Sequence, residues 1–341
     1  MNTSRARQRF IPISDPSGVG EARREIAALG ASAGLDPERV GELALAVTEA
    51  ASNIAKHTRE GLMVGRILER GSRSGIEVIA IDKGAGMANV AASMKDGHST
   101  SGTPGHGLGA LSRITSAMDI WSYASRGTLL RFEIWPEAAT APHGAAQLGV
   151  LCKEKPGETV CGDGWTVVES RTRLVAFVVD GLGHGPEAAA AAQIAIMTVE
   201  KYRQLAADEI MEAVHAALRA TRGAAGAVAV IDPHAGRCNY CGVGNISAVI
   251  RLAGRRHSLV SNNGTLGQHI RKLQSYQYEF APGALFIAHS DGIATHWDLA
   301  AYPGIEARHP ALIAASLFRD HSRGRDDATV LALRDTRQAR A

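Results

Sequence analysis

Apolar residues in the first 136 positions change several times between helical and strand spacing. Helical spacing covers about residues 18 to 33, and a second helix begins at Asp36-Pro37, because aspartate caps a helix and proline suits its first turn. A short helix is predicted at 108–117, and strands are predicted at 9–13, 62–69, 75–81, 118–124 and 128–135. This half of the chain therefore predicts an α/β domain.

The second half groups its strands before and after a pair of helices. The helices are predicted at 186–205 and 208–221, and a last helix is predicted at 310–318. The strands are predicted at 148–153, 165–169, 174–179, 227–231, 237–242, 247–252, 276–280, 284–288 and 329–334. This grouping favours two sheets flanked by helices.

A short run between the halves has the composition of a linker. Residues 136–146 are small, polar and proline-containing. The chain has 341 residues, and single cores seldom grow past roughly 250 residues. The sequence therefore predicts two domains, at 1–136 and 147–341, joined by a linker at 137–146.

Composition and charge narrow the classes of partner. The formal net charge of +3 is too small to predict nucleic acid or membrane lipid as a partner. The longest apolar runs are far shorter than the ~20 residues that span a bilayer, and the N-terminus shows no signal peptide. We therefore expect a soluble cytoplasmic protein whose partner is another protein or a small molecule.

Four cysteines raise the question of a zinc site. Cys238 and Cys241 have a suitable spacing, but their segment alternates like a strand, so the two side chains point to opposite faces. Buried free thiols are the favoured interpretation for all four cysteines.

Three polar residues lie along one edge of the second helix. Glu49, Asn53 and His57 are spaced four residues apart, beside an apolar stripe that packs into the core. They supply a carboxylate that accepts a proton, a carboxamide oxygen that ligates a hard cation, and an imidazole. A solvated helix face is the alternative interpretation of this line alone.

Glycines that follow in the chain favour a ligand site over a solvated face. Asp82 ends an apolar strand and is followed by Gly84 and Gly86, so its carboxylate lies where open α/β sheets bind ligands. An aperiodic loop at 88–104 leads to a helix opened by three alternate glycines, a pattern that favours phosphate. These glycines are Gly105, Gly107 and Gly109.

These residues resemble the motifs of the GHKL (Bergerat-fold) ATPases, and among them the anti-sigma-factor serine kinases of the RsbT and RsbW type. The resemblance covers about residues 9 to 136 and implies a Bergerat-type α/β sandwich that binds ATP and Mg²⁺. It implies that Asn53 ligates Mg²⁺, Glu49 acts as general base and Asp82 binds the adenine amino group. His57 belongs to the same motif, while Gly84, Gly86 and the loop 88–105 form the ATP lid. Gly105, Gly107 and Gly109 meet the phosphates.

Four aspartates in the second half occupy glycine- or aspartate-containing turns beside apolar strands. Asp180 and Asp291 end strands and are followed by glycine, Asp163 lies between two glycines, and Asp326 precedes a strand. Clustered strand ends bring hard oxygen ligands together, and four carboxylates need cations to offset their repulsion. A single Asp-Gly pair is more typical of a plain turn.

This half resembles the PPM-type serine/threonine phosphatases of the SpoIIE and RsbX branch across about residues 147 to 335. The resemblance implies an α/β/β/α sandwich with two Mn²⁺ or Mg²⁺ ions. Asp180 bridges both ions, the Gly181 carbonyl contributes, and Asp163, Asp291 and Asp326 are further ligands. Larger relatives have histidine directly after the Asp-Gly pair, whereas this chain has Leu182 there and His184 two residues later. Whether His184 protonates the leaving oxygen stays open.

Together the two halves predict a bifunctional switch protein of the bacterial partner-switching type. The N-terminal half is expected to be an ATP-dependent protein serine/threonine kinase, and the C-terminal half a metal-dependent phosphoserine phosphatase. The resemblance implies a STAS-domain anti-sigma antagonist as substrate in trans, with a downstream regulator or larger signalling complex beyond it. The alternative is a nucleotide-dependent binding switch in which only the phosphatase half is catalytic.

Overall fold

A computed structural model describes residues 8–58, 60–93, 107–136 and 146–336. The chain forms two compact units. The N-terminal unit contains the described residues up to 136 together with Asp298–Ser316, and the C-terminal unit contains 146–297 and 317–336. Residues 298–316 therefore group with the N-terminal unit, although the sequence predicts them in the second domain. The predicted linker lies outside the described residues, apart from its last residue.

The N-terminal unit is a five-stranded antiparallel sheet with helices on one face. The sheet order is β1-β2-β3-β5-β4, and every neighbouring pair is antiparallel. In chain order the elements are β1 (Arg9–Ile13), α1 (Pro16–Ser32), α2 (Pro37–His57), β2 (Gly61–Arg70), β3 (Arg73–Asp82), α3 (Val90–Ser93), α4 (Leu108–Ile114), β4 (Ala117–Ser122) and β5 (Thr128–Ile134).

Helix α2 begins as the sequence predicts and packs its apolar stripe into the core. The Asp36 side chain accepts the Arg39 amide, and Pro37 occupies the first turn. Leu43, Val47 and residues of α1 pack against the alternate residues of β3 that point towards the helices. The helices therefore cover only one face of the sheet.

The C-terminal unit contains two sheets. Its elements are β6 (Ala146–Lys153), β7 (Asp163–Glu169), β8 (Leu174–Gly181), α5 (Pro186–Lys201), α6 (Ala207–Ala217), β9 (Ala224–Asp232), β10 (Arg237–Val243), β11 (Ser247–Leu252), β12 (Arg255–Ser258), β13 (Ser261–Asn262), β14 (Tyr276–Glu279), β15 (Leu285–His289), α7 (Pro310–His321) and β16 (Ala328–Asp335). One sheet has the order β13-β10-β9-β8-β7, with β14 beside β10, and the other has the order β12-β11-β15-β16-β6.

Two apolar layers hold this unit together. One lies between the two sheets, and the other lies between the first sheet and the helices α5 and α6. Cys238 belongs to the first layer and Cys241 to the second. The two side chains therefore lie on opposite faces of β10, as the strand pattern predicts. Both are buried free thiols, while Cys152 and Cys161 are half-buried with sulfur atoms 3.6 Å apart.

The predicted fold class, two mixed α/β domains, is confirmed. Helix α7 crosses the division between the units, which falls after Ser316. None of the described helices is long and apolar enough to cross a bilayer.

Two candidate sites and their relatives

The line of three polar residues on α2 is partly accessible. Glu49 and Asn53 are half-buried, and His57 is exposed as the last residue of the helix. Their neighbours Ala50 and Ile54 are buried in the core, which fixes the rotation of the helix. The polar edge therefore faces away from the core, where a ligand can reach it.

Asp82 ends β3 and is held beside the end of α2. Its Oδ1 atom accepts the amides of Gly84 at 2.7 Å and Thr128 at 3.1 Å. A Cβ atom on Gly84 would lie 3.1 Å from the carbonyl oxygen of His57, so the first glycine turn meets the helix that carries Asn53. The structure thus brings the two predicted motifs of this half together.

The turn between β4 and β5 supports the glycine segment 82–87. The Ser125 amide donates to the Ala85 carbonyl at 2.6 Å, and the Met87 amide donates to Ser122 Oγ at 2.8 Å. Gly86 has a φ of +69°, and a Cβ atom there would overlap the Tyr123 carbonyl. Nothing in the sequence pattern pointed to this supporting turn.

The second glycine motif is described only in part. Gly107 precedes α4 and Gly109 lies in its first turn, while Leu108 and Leu111 share a core with α2. Gly105 lies outside the described residues, as do residues 94–105 of the predicted ATP lid. Contacts of these residues with phosphate stay predictions.

In the C-terminal unit, strand pairing sets two of the four predicted aspartates side by side. Asp163 on β7 pairs with Asp180 on β8. Asp291 follows β15 in the other sheet, and Asn245 joins the sheets because its Nδ2 atom donates to Asp291 Oδ2 at 2.8 Å and lies 3.4 Å from Asp180 Oδ2. Asn245 follows a glycine in a turn that the sequence analysis did not single out.

Asp163 and Gly181 are fixed by close packing. Ser290 donates its hydroxyl to Asp163 Oδ2 at 2.6 Å and accepts the Thr329 amide at 3.0 Å. Gly181 lies against the backbone of Ala188, where a Cβ atom would overlap it. Asp326 accepts the amide of the next residue at 3.0 Å and precedes β16.

The carboxylates lie close enough to repel one another. Burial, followed by the charge of Asp180, raises the pKa of Asp163 well above its ordinary value. Burial, followed by the charge of Asp291, raises the pKa of Asp180 to about 7, and Asp326 adds to the effect.

The donor set fits a hard divalent cation. It consists of carboxylate oxygens whose mutual repulsion a cation would relieve. As placed, no three His, Cys, Asp or Glu side chains of the described segments could hold one metal ion together. The assignment of Asp163, Asp180, Gly181, Asp291 and Asp326 as ligands therefore stays a prediction.

His184 lies close to a carboxylate in the same unit. Its Nδ1 atom is 2.6 Å from Glu158 Oε1, and its side chain is about half exposed. This contact orients the imidazole, but it does not distinguish a proton donor from a loop histidine.

Comparisons with known proteins divide the chain in the same way. A model of the histidine kinase-like ATPase domain matches residues 13–134, and a model of stage II sporulation protein E (SpoIIE) matches residues 170–335. The serine/threonine-protein kinase RsbT of Bacillus subtilis (strain 168) is 33% identical over 91 residues, which cover 26% of this chain and 68% of RsbT. The phosphoserine phosphatase RsbX of the same strain is 27% identical over 140 residues, which cover 41% of this chain and 70% of RsbX.

Solved structures agree with this assignment. A chain from the bacterial stressosome is 31% identical with a TM-score of 0.53, covering 56% of this chain and 100% of its own length. RsbX in complex with magnesium has the same fold at 24% identity and a TM-score of 0.50, covering 57% of this chain and 96% of RsbX.

The folds and the sites define a protein in which a kinase-like ATPase domain precedes a PPM-type phosphatase domain. Through its first half the chain belongs to the histidine kinase-like ATPase family, and residues 170–335 of its second half match the model of stage II sporulation protein E.

Proposed function

We propose that this chain both adds and removes a phosphoryl group on a regulatory protein. The N-terminal unit transfers phosphate from ATP to a serine or threonine, and the C-terminal unit hydrolyses the phosphoserine. The observation that carries the second activity is the crowding of carboxylates around Asp180, among which Asp163 is buried, with Asn245 between Asp180 and Asp291. Likeness to a kinase and a phosphatase, RsbT and RsbX, supports the pairing of activities.

In the phosphatase reaction the aspartates hold two Mn²⁺ or Mg²⁺ ions. Asp163, Asp180, Asp291 and Asp326, with the Gly181 carbonyl, would hold these ions, and Asp180 would be the central ligand. Bound metal supplies an activated water and neutralises charge on the phosphoryl oxygens. Ser290 orients the Asp163 carboxylate through its 2.6 Å hydrogen bond, and Asn245 keeps Asp180 and Asp291 together. The fold of RsbX, solved in complex with magnesium, supports the choice of metal.

In the kinase reaction the edge of α2 and the glycine segment 82–87 serve one nucleotide. Asp82 accepts a hydrogen bond from the adenine amino group. The amides that donate to its Oδ1 atom fix the carboxylate in place for this contact. Asn53 ligates Mg²⁺, and Glu49, one turn earlier on the same helix, accepts the proton of the attacking hydroxyl. Gly107 and Gly109 approach the phosphates.

The substrate that we propose is a small STAS-domain protein acting in trans in a cytoplasmic partner-switching pathway. The two relatives are named as a serine/threonine-protein kinase and a phosphoserine phosphatase of the same strain, and these opposing reactions on serine support one shared substrate. A downstream regulator or larger complex would then respond to the phosphorylation state.

Phosphate stoichiometry on a purified STAS-domain protein tests the proposal. The protein is incubated with Mg·ATP, Mn²⁺ and wild-type chain, Glu49→Ala, Asp291→Asn or the double variant, and intact mass gives the phosphorylated fraction. We expect phosphorylated substrate to accumulate with Asp291→Asn and to be absent with Glu49→Ala. If Asp291→Asn gives no more phosphorylated substrate than wild type, the binding-switch alternative replaces the kinase assignment.

A further inference from the structure

One segment from the C-terminal half of the chain is docked within the N-terminal unit. Residues 298–316 contact β4 through Asp119 and Trp121, which lie on the sheet face away from the helices α1 and α2. Asp119 accepts the His309 amide at 2.7 Å and the Arg308 Nη1 group at 3.2 Å. Trp121 donates its indole N–H to the Pro303 carbonyl at 2.9 Å, and its ring lies 5.8 Å from that of Tyr302.

The docked segment meets the sheet face that the helices leave uncovered. That face carries apolar residues such as Ile79 and Leu129 and an ion network in which Glu77 binds Arg66 at 2.6 Å and Arg131 at 2.8 Å. Trp121 and Tyr302 are each only 3% exposed. The docked segment stabilises this face, because its removal would expose the apolar groups to water at a cost in free energy and would hydrate the ion network.

Strand β4 also supports the candidate nucleotide site. Its last residue, Ser122, accepts the Met87 amide, and the turn that follows holds Ala85 through Ser125. Asp82 is held by Thr128 from the next strand. The segment 82–87 and residues 298–316 therefore both contact β4 or the turn that follows it.

The chain on either side of the docked segment leads to the aspartate site. Residue 298 is seven positions after Asp291, and residue 316 is ten positions before Asp326. Trp297, the last residue before the segment, donates its indole N–H to His289 at 3.1 Å, and Arg256 donates to its carbonyl at 2.8 Å. The chain that enters the segment at Trp297 is therefore anchored at His289, two residues from Asp291.

We propose that residues 298–316 couple nucleotide binding in the N-terminal unit to phosphoserine hydrolysis in the C-terminal unit. The inference rests on the proposed function, because it needs both a nucleotide site and a phosphatase site. Coupling of this kind is reciprocal: nucleotide changes the Mn²⁺ affinity of the chain by the same factor as Mn²⁺ changes its nucleotide affinity. Typical allosteric factors are about 5- to 150-fold.

The test uses the full-length chain, Mg·ADP as the nucleotide and a phosphoserine peptide as the phosphatase probe. ADP is chosen because it supports no phosphoryl transfer to the protein. For wild type we expect saturating Mg·ADP to change the Mn²⁺ concentration for half-maximal hydrolysis by at least about fivefold. Calorimetry should show the same factor in the ADP affinity when Mn²⁺ is added.

Two variants remove docking contacts, and a third is the matched control. Trp121→Phe keeps the ring and loses the bond to Pro303, and Asp119→Asn weakens the contacts to Arg308 and His309. Trp135→Phe makes the same exchange at an indole that donates to Glu133 on the same sheet. We expect the coupling factor to fall below about twofold in the first two variants and to stay at the wild-type value in Trp135→Phe.

Hydrogen exchange on the wild-type chain gives a readout that depends on no substitution. Mg·ADP should change the protection of amides in residues 299–312, including the His309 amide that Asp119 accepts. Undiminished coupling in both docking variants, or nucleotide binding with no change in hydrolysis or exchange, overturns the inference alone. A wild-type chain that binds no nucleotide or hydrolyses no phosphopeptide overturns the proposed function, and the coupling with it.

Discussion

Two carboxylates with contrasting surroundings distinguish the units: Glu77 of the N-terminal unit lies between cations, and Asp180 of the C-terminal unit lies beside other carboxylates. Glu77 is buried between Arg66 and Arg131, and although burial opposes it, the attraction of the two guanidinium groups lowers its pKa to about 2. Asp180 is half-buried among other carboxylates, and desolvation together with the charge of Asp291 raises its pKa to about 7. The pKa values of these two carboxyl groups are therefore shifted in opposite directions.

The difference separates structural charge from functional charge. A carboxylate with internal partners stabilises the fold, because removing it strands its buried partners. A carboxylate with no cationic partner in the protein destabilises the fold until an external cation binds. Natural proteins retain such electrostatic repulsion chiefly at functional sites. On this argument the Glu77 network stabilises the sheet face, and the crowding of carboxylates around Asp180 supports the proposed cation site.

Neutralising Asp180 should give the largest effect on activity. Asp180→Asn removes the ligand proposed to bind both metal ions, so we expect phosphopeptide hydrolysis in Mn²⁺ to fall by more than about a hundredfold. Without metal, the same variant should be more stable than wild type, because it removes charge repulsion. Hydrolysis rates and denaturant unfolding measure the two effects.

Asp208→Asn is the matched control, since Asp208 lies in the first turn of α6. It should leave hydrolysis within about twofold of wild type, with at most a small loss of stability. An Asp180→Asn chain that is both active and less stable than wild type would contradict the comparison.

Neutralising Glu77 should act in the opposite direction on stability. Glu77→Gln leaves Arg66 and Arg131 buried without their shared carboxylate, and breaking a buried ion pair on one side costs about 3–5 kcal/mol. We expect the N-terminal unit to lose about that much unfolding free energy, with phosphopeptide hydrolysis unchanged if the units unfold separately. Denaturant unfolding followed by exchange of the β3 and β5 amides measures it, and a loss below about 1 kcal/mol would refute the structural role.

Truncating Asn245 should have an intermediate effect. Asn245→Ala removes the amide that donates to Asp291 and lies beside Asp180, and groups that orient metal ligands typically contribute about 10- to 100-fold to metal affinity. We expect the Mn²⁺ concentration for half-maximal hydrolysis to rise by that factor, while the maximal rate falls less. Asn239→Ala, within β10, is the control and should leave the Mn²⁺ requirement unchanged.

Local signals in the sequence were sufficient for most of the fold. The cap and proline at Asp36-Pro37 and the alternation through Cys238 to Cys241 depend on neighbours in the chain, and the structure agrees with both. The docking of residues 298–316 on β4 depends on contacts almost 190 positions apart in sequence. No periodicity encodes such a contact, so a domain boundary read from composition missed it.

The candidate sites show the same limit. Helical spacing indicates Glu49 and Asn53, and the end of an apolar strand indicates Asp82. Their motifs lie together in the structure. Asn245, Ser290 and the turn at 122–127 act by supporting other residues, and their types are common in ordinary turns. Supporting residues of this kind become visible only when strand pairing sets them opposite the groups that they orient.

Acidification should destabilise the fold gradually, through the histidine docked beside the Glu77 network. Burial, followed by the charge of Arg131, lowers the pKa of His309 to about 2, so the folded protein keeps it neutral. The unfolded chain binds a proton there once the pH falls below about 6.5. Stability is therefore complete above that pH and is lost as the pH falls, by up to about 1.4 kcal/mol per pH unit.

Below about pH 4.5, Glu77 in the unfolded chain also binds a proton, whereas the folded protein keeps Glu77 ionised down to about pH 2. The loss of stability per pH unit therefore becomes steeper below about pH 4.5. His309→Gln should remove the slope between pH 6.5 and 4.5 and reduce the slope below pH 4.5 to the share of Glu77. His257→Gln, at an exposed position on β12, should leave both slopes unchanged. Denaturant unfolding at half-unit pH steps measures these slopes. If unfolding free energy has the same pH slope in wild type and in His309→Gln, His309 is not buried on the sheet. The ion network of the N-terminal unit would then be exposed to solvent at the face where residues 298–316 are docked.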